Sequence, residues 1–262
     1  MSATASLGSP AASRLWRGCE ADERVMALIR SILFNVSYLL WSAVMHIVCL
    51  PLLLAPVSWV WQAAHLWIDG TLFLLRLFCG LGHRELGLEH LPKGPAIIAA
   101  KHQSAWETLF LSRRLNHPAF ILKRELLSIP LFGWFIRKVG MIAVDRTGKA
   151  AALKQMVKDA NAAFSEGRQI IIFPEGTRVA PGEHKPYQPG IAALYGQLNV
   201  PVVPVALNSG LFWGKKAWVK KPGTIAIEYL PAIPPGLDRR AFMAELEARL
   251  EPAANKLLSG PA

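Results

Sequence analysis

The sequence predicts an α/β domain that is preceded by two apolar helices. Residues 25–80 contain only three formally charged side chains, a composition typical of a membrane-associated segment. After residue 80, short apolar runs alternate with amphipathic stretches, as strands and helices do in an α/β domain. A formal net charge of +11 over 262 residues indicates an anionic partner.

The first apolar helix is predicted over residues 25–50. This run is long enough to cross a hydrocarbon layer of ~30 Å, which takes about 20 helical residues. It is also much longer than the roughly 7 to 15 apolar residues of a cleaved signal peptide. The preceding residues 1–24 are rich in Ala, Ser and Gly, carry mixed charge and predict a disordered tail.

The second apolar helix is predicted over residues 58–79, after a break at Pro51 and Pro56. Either the two helices form a hairpin that enters and leaves one face of a membrane, or one spans and the other lies in the interface. A soluble protein with two buried helices is a third interpretation, but these helices have few polar residues that could form a solvent-exposed face. Four tryptophans could sit at headgroup depth: Trp41, Trp59, Trp61 and Trp67. The segment therefore favours lipid over nucleic acid as the anionic partner.

Residues 81–262 read as one domain of alternating strands and helices. Apolar runs predict strands over residues 96–100, 119–122, 141–144, 169–173, 202–207 and 224–229. Amphipathic stretches predict helices over residues 105–115, 148–165, 191–198 and 239–258. The run at 200–206 contains two prolines, which predicts a buried strand at an edge or wall of the sheet.

A candidate base and its acid follow the predicted strand 96–100. A strand that turns into a helix places His102 at the strand's carboxyl end and Glu107 in the first turn of the helix. An imidazole can remove the proton of an attacking hydroxyl, while a carboxylate on its other nitrogen fixes the tautomer. A solvated helix start would show the same spacing. Ser104 could make this a hydrolase site, but the sequence has no GxSxG elbow.

A second constellation, FPEGTR at residues 173–178, follows the next apolar strand. Its Pro and Gly predict a tight turn that presents backbone N–H groups. Arg178 can bind two phosphate oxygens at once, and Glu175 can accept a hydrogen bond from a polyol hydroxyl. With Gly176 and Thr177, these residues predict a site for the phosphate and glycerol parts of a substrate. A plain turn with a surface ion pair is the alternative.

Two further strand ends carry charge. Asp145 and Arg146 follow the run at 141–144, where a local ion pair and a ligand contact are equally good interpretations. Lys123 follows the run at 119–122 and is a candidate phosphate ligand or a solvated lysine. No cluster has the spacing of metal ligands, so no metal is predicted. The three cysteines are too widely spaced for a CxxC pair.

Taken together, these blocks resemble the glycerophospholipid acyltransferases, most closely the bacterial 1-acyl-sn-glycerol-3-phosphate acyltransferases. The resemblance covers about residues 83–231. Four blocks occur in the family's order, at residues 102–107, 140–146, 173–178 and 200–206. It implies a mixed central sheet flanked by helices, behind the two-helix membrane motif at 25–80.

The resemblance also implies roles for individual residues. His102 would be the base of a direct acyl transfer without a covalent enzyme intermediate, and Glu107 stands where the family usually has Asp. Arg178 and Lys123 would bind the substrate phosphate. Lysophosphatidic acid would receive an acyl group from acyl-CoA or acyl carrier protein, without a cofactor, giving phosphatidic acid.

The implied location is the bacterial inner membrane, with the catalytic domain facing the cytoplasm. Two other functions would keep the same sequence features. One is acyl transfer to a different lyso-lipid, and the other is lipid binding by a membrane-anchored protein with weakened activity.

Overall fold

The computed structural model describes residues 10–145 and 148–259, without the side chains of residues 10–21 and 149. Within that range the chain forms helices α1 to α7 and strands β1 to β7. The helices are α1 Pro10–Val48, α2 Val57–Cys79, α3 Trp106–Arg114, α4 Phe132–Lys138, α5 Lys149–Ser165, α6 Pro189–Leu198 and α7 Arg239–Ser259. The strands are β1 Leu81–Leu86, β2 Ile97–Ala100, β3 Ala119–Lys123, β4 Ile142–Val144, β5 Ile170–Ile172, β6 Val202–Leu207 and β7 Gly223–Tyr229.

Helix α1 begins earlier than the sequence predicts. The expected disordered tail over residues 1–24 is helical from Pro10 onward, and residues 1–9 lie outside the described part of the chain. Proline is tolerated in the first turn, and the Ala, Arg and Leu residues that follow are strong helix formers. Extending a helix that is already nucleated costs little, so the apolar part can carry this polar extension.

Helices α1 and α2 pack closely against each other. The indole N–H of Trp41 donates to the carbonyl of Trp67 at 3.0 Å. Gly70 makes the approach possible, because a Cβ there would lie 2.6 Å from the Trp41 ring. The stretch Asp22–Val48 is the one described helix that is long and apolar enough to cross a membrane. Its many exposed apolar side chains, including Leu39 and Leu40, favour association with lipid.

The strands form one mixed sheet in the order β1-β7-β6-β2-β5-β3-β4. Neighbouring strands are parallel except β6 and β7, which run antiparallel. The expected α/β fold with a mixed sheet is therefore confirmed. Strand β1 was not predicted, because the polar side chains of His83, Arg84 and Glu85 break its apolar pattern. The short helix α4 was not predicted either.

Of the two positions expected for the proline-containing strand, an edge or a wall of the sheet, the edge is wrong. Strand β6 lies between β7 and β2 in the interior of the sheet. The carbonyl of Pro204 accepts from Leu230 N–H at 2.9 Å, so the side of Pro204 that lacks an N–H faces β7. Strand β7 ends at Tyr229, opposite Val205. Pro204 therefore lies one residue beyond the last regular β6–β7 pair, where its missing N–H does not interrupt the ladder.

Alternate residues of the sheet pack on two different helical layers. One face, which includes Ile97 and Ile170, packs on α5, α6 and α7. The other face, which includes Ile98 and Ile171, packs on α3 and on the two apolar helices, where Phe34 of α1 is fully buried. The two apolar helices are thus part of the core of the α/β domain.

Candidate active site

The candidate residues meet at one edge of the sheet. Strands β2, β3, β4 and β5 are parallel to their neighbours in this set, so their carboxyl ends point the same way. Lys123 is the last residue of β3, and the segments that follow β2, β4 and β5 carry His102, Asp145 and Arg178. Ligands of open α/β sheets bind outside the carboxyl ends of the strands.

His102 and Glu107 are in direct contact, as the sequence predicts. The imidazole Nδ1 lies 2.8 Å from Glu107 Oε1. That oxygen also accepts the backbone N–H groups of Gln103 at 2.8 Å and Ser104 at 2.7 Å. The hydroxyl of Ser209 donates to the other carboxylate oxygen at 2.8 Å. The side chain of Glu107 is 0% exposed, so all of its interactions are with protein groups.

This arrangement fixes the tautomer of His102. A carboxylate beside Nδ1 requires a proton on that nitrogen, which leaves the lone pair on Nε2 to act as a base. The ring is stacked on Phe173 with centroids 3.9 Å apart, which limits its rotation. The side chain of His102 keeps 15% of its surface exposed and lines a large cavity.

The cavity has a volume of about 1160 Å³ and is mostly apolar. Its walls come from α1, α2 and α4 as well as from the sheet. Side chains from these three helices include Met45, His46, Trp61, Trp67, Phe132 and Phe135. The cavity therefore extends from His102 to the apolar helices.

Cations line the polar part of the same cavity. They are Lys123, Arg178, Lys185, Lys215 and Lys216. Lys123 is half exposed and lies 2.7 Å from Glu125. Arg178 has no ion-pair or hydrogen-bond partner within the described part of the chain, and Thr177 and Gly176 line the cavity beside it. Arg146, which the sequence also assigns to the phosphate, lies outside the described residues.

The turn that carries Glu175 and Arg178 holds the backbone of His102 on both sides. Glu175 Oε2 accepts the His102 N–H at 3.3 Å, and the His102 carbonyl accepts the N–H of Val179 at 2.8 Å. Gly176 has a φ of +66°, and a Cβ there would lie 2.9 Å from the Gln188 side chain. Both features favour glycine at this turn.

The structure places Glu175 differently from the substrate-facing position that the sequence suggests. Its side chain is 0% exposed, and its Oε1 lies 2.6 Å from the ammonium of Lys101. Lys101 Nζ also lies 2.8 Å from Glu251 Oε1 in α7. Sequence reasoning missed Lys101, Ser209 and Glu251, because their partners are distant along the chain. Among the described residues, no group of His, Cys, Asp and Glu side chains could hold a metal ion.

A histidine with a fixed tautomer lies beside cationic side chains and an apolar cavity, an arrangement that suits an enzyme that activates a hydroxyl group on an amphipathic, anionic molecule. A model of the acyltransferase family matches residues 84–208. The 1-acyl-sn-glycerol-3-phosphate acyltransferase of Pseudomonas aeruginosa is 39% identical over 185 residues, which is 71% of this chain and 72% of that protein. The chain belongs to the acyltransferase family that includes the 1-acyl-sn-glycerol-3-phosphate acyltransferases.

Two further relatives agree with this assignment. The Saccharomyces cerevisiae protein of the same name is 30% identical over 174 residues, covering 64% of this chain and 57% of that protein. The crystal structure of the acyltransferase PlsC from Thermotoga maritima superimposes with a TM-score of 0.69. It covers 93% of this chain and 99% of that chain at 19% sequence identity, which supports the fold.

Proposed function

We propose that this enzyme transfers a fatty acyl group from a thioester to the free hydroxyl of 1-acyl-glycerol-3-phosphate, giving phosphatidic acid. The observation that carries the proposal is the position of the His102–Glu107 pair. The pair lies on a cavity that is apolar in one part and cationic in another. A lysophosphatidate has the matching parts, namely an acyl chain, a hydroxyl and a phosphate.

In the proposed reaction, Arg178 and Lys123 bind the phosphate of the acceptor, with Arg146 as a third candidate cation. Arg178 suits this role because its guanidinium has no protein partner within the described residues and can contact two phosphate oxygens. Thr177 and Gly176 line the cavity beside it, which supports a contact with the glycerol part in this proposal. Glu175 is buried and bound to Lys101, so we assign it to the support of His102.

His102 Nε2 then removes the proton from the acceptor hydroxyl as that oxygen attacks the thioester carbonyl. The new ester C–O bond forms, the C–S bond breaks, and the departing thiolate takes the proton from His102. Glu107 stabilises the imidazolium that exists between these two proton transfers. The donor is acyl-CoA or an acyl carrier protein thioester, and the reaction uses no other cofactor.

We further propose that α1 lies along one membrane face. Asn35 is near the middle of the apolar stretch Asp22–Val48, yet its side chain contacts a loop of the catalytic domain. Lys220 Nζ donates to Asn35 Oδ1 at 2.6 Å, and Asn35 Nδ2 donates to the carbonyl of Trp218 at 3.3 Å. A spanning α1 would carry this lysine-containing loop to the bilayer centre, which is costly.

A shallow α1 leaves the catalytic domain on one side, and we place it at the cytoplasmic face of a bacterial inner membrane. The protein should then remain with membranes during a high-salt wash, because apolar burial is insensitive to ionic screening. Release by salt alone would contradict the anchor. Full protection of the residues before α1 from added protease on the cytoplasmic side would contradict the shallow position.

The reaction is tested with detergent-purified protein, acyl-CoA and a panel of lyso-lipids, with products identified by mass. The expected result is phosphatidic acid that forms only when lysophosphatidate is present. A larger product from another lyso-lipid would replace the proposed acceptor. Free fatty acid without any acceptor would indicate a hydrolase, and no thioester consumption would indicate a lipid-binding protein.

A further inference from the structure

A chain of buried polar contacts connects the C-terminal helix to the backbone of His102. Tyr187 donates its hydroxyl to Glu251 Oε1 at 2.5 Å, and the same oxygen lies 2.8 Å from Lys101 Nζ. The Lys101 ammonium lies 2.6 Å from Glu175 Oε1. Glu175 Oε2 accepts the backbone N–H of His102 at 3.3 Å. One lysine therefore bridges a carboxylate of α7 and the turn that holds the histidine.

The charges in this chain depend on one another. Burial raises the pKa of the Glu175 carboxyl above its ordinary value, and the Lys101 ammonium opposes that rise. Burial alone would lower the pKa of Lys101, but Glu175 and Glu251 outweigh it and raise the pKa of the ammonium. Without Lys101, the buried Glu175 would bind a proton at higher pH than it does now.

The protonation state of Glu175 matters for His102. An ionised carboxylate accepts a stronger hydrogen bond from a backbone N–H than a neutral carboxyl does. The other side of the His102 peptide is held by Val179, four residues after Glu175 in the same turn. A change in the position of Glu175 therefore affects the hydrogen bonds to both the N–H and the carbonyl of His102.

We infer that Lys101 is a positioning residue for the acyl transfer, which keeps Glu175 ionised so that the turn holds His102 in its reactive place. Glu251 and Tyr187 bring α7 into this role by fixing the ammonium. The inference rests on the proposed function for its activity measurements. It adds to that function a requirement for residues outside the four blocks that resemble the family.

The test compares Lys101→Met with Lys101→Arg and with the parent. We expect Lys101→Met to lower kcat about 10- to 100-fold near neutral pH, with the acceptor KM changed less than about 2-fold, because small displacements of a catalytic group cost rate rather than binding. The ratio of the Lys101→Met kcat to the parent kcat should rise as pH increases. At higher pH Glu175 loses its proton even though the lysine is absent. Lys101→Arg should keep a larger rate and a ratio that is flat with pH.

A double variant separates positioning from general damage. If Lys101 acts through Glu175, Lys101→Met added to Glu175→Gln should slow the enzyme no further than Glu175→Gln alone. A ratio that stays constant with pH would overturn the inference. So would additive losses in the double variant, or an acceptor KM that rises as much as kcat falls.

Thermal unfolding tests the ion pair without any substrate. A buried carboxyl whose pKa is higher in the folded than in the unfolded protein makes the folded state less stable as pH rises. The loss begins above the unfolded-state pKa of a glutamate, about 4.3. The melting temperature of Lys101→Met should therefore fall further below that of the parent between about pH 5 and pH 8. Lys220→Met is the matched control, because Lys220 is a buried lysine whose ammonium contacts Asn35 Oδ1 and the Trp218 carbonyl and, among the described residues, no carboxylate.

The two readouts distinguish the two proposals. If the parent acylates no lyso-lipid, the proposed function fails, while the melting curves still decide whether Lys101 keeps Glu175 ionised. If the parent acylates lysophosphatidate but Lys101→Met and Lys220→Met melt with the same pH dependence, the inference about Lys101 fails alone.

Discussion

Ser209 and Glu107 are 102 residues apart in the chain, yet the serine hydroxyl donates to the glutamate carboxylate at 2.8 Å. Ser209 follows β6 and Glu107 lies in the first turn of α3, so the contact joins two neighbouring strand ends. Both side chains are fully buried. One oxygen of the Glu107 carboxylate thus accepts hydrogen bonds from its own turn, and the other accepts one from a loop that is distant in the sequence.

The first prediction concerns this serine. Ser209→Ala should lower kcat about 10-fold, because Glu107 Oε2 loses its hydrogen bond and the buried carboxylate gains freedom to move. Initial rates at saturating donor and acceptor measure the effect. Ser165→Ala, at the exposed end of α5, is the control and should match the parent. A Ser209→Ala enzyme with full kcat would show that the two backbone N–H groups suffice.

The second prediction concerns the base. His102→Ala should reduce kcat by a factor on the order of 10² to 10⁴, because no other group removes the hydroxyl proton. The side chain is 15% exposed and does not belong to the hydrophobic core clusters, so the melting temperature should change little. Lipid binding should persist, which a binding assay with vesicles of lysophosphatidate would show. Retention of rate would remove His102 from the mechanism.

The third prediction compares two changes at Glu107. Glu107→Gln should lose most of the rate, because a neutral amide cannot stabilise an imidazolium. Its NH₂ group is also a donor, and it would face groups that themselves donate hydrogen bonds. Glu107→Asp keeps the charge but is shorter, so it should retain part of the rate. Equal kcat for Glu107→Gln and the parent would contradict the role of the carboxylate.

The fourth prediction concerns the acceptor phosphate. Arg178→Ala and Lys123→Ala should each raise the acceptor KM about 10-fold with a smaller effect on kcat, because a phosphate contact exists before and during the reaction. Arg178→Lys should restore only part of the affinity, since an ammonium cannot make the paired contact. Lys158→Ala, on the exposed side of α5, serves as the control for lost positive charge. Unchanged acceptor KM in both alanine variants would refute the assignment.

The fifth prediction concerns the apolar helices. Deletion of residues 1–80 should give a protein that aggregates or melts at a much lower temperature, because Phe34, Leu75 and Cys79 belong to the core. Each large apolar side chain lost from a core removes about 1.5 to 3 kcal/mol of stability. A soluble, fully active truncated enzyme would show that α1 and α2 serve only as an anchor. Circular dichroism melts and activity on detergent-solubilised substrate make the measurement.

Local patterns account for what the sequence predicts well. The buried strands β2, β5 and β6 are apolar runs bounded by turn residues, and the His102–Glu107 spacing fits within one strand-to-helix turn. Strand β1 was not predicted because it lies at the edge of the sheet, where half of its side chains are polar. The interior position of β6 depends on where β7 ends, which no property of β6 itself reveals.

The candidate site divides in the same way. The residues of the two turns, including Glu107 and Arg178, can be selected from their own neighbours in the sequence. The supporting residues Lys101, Ser209 and Glu251 act across long separations, and a lone lysine or serine carries no local signal of that role. Glu175 shows the limit most clearly, since its motif suggests a substrate contact and its surroundings turn it inward toward Lys101.

The contact between α1 and the loop after β6 sets an order for biosynthesis. Ser31 Oγ accepts the backbone N–H of Lys220 at 2.8 Å across 189 residues of chain. A ribosome that adds about 5 to 20 residues per second makes the second partner roughly 10 to 40 s after the first. During that interval α1 already has its apolar surface but lacks the loop that later covers Ser31 and Asn35. We therefore expect the nascent helix to contact lipid before the domain it will support is complete, with the membrane as its temporary packing partner.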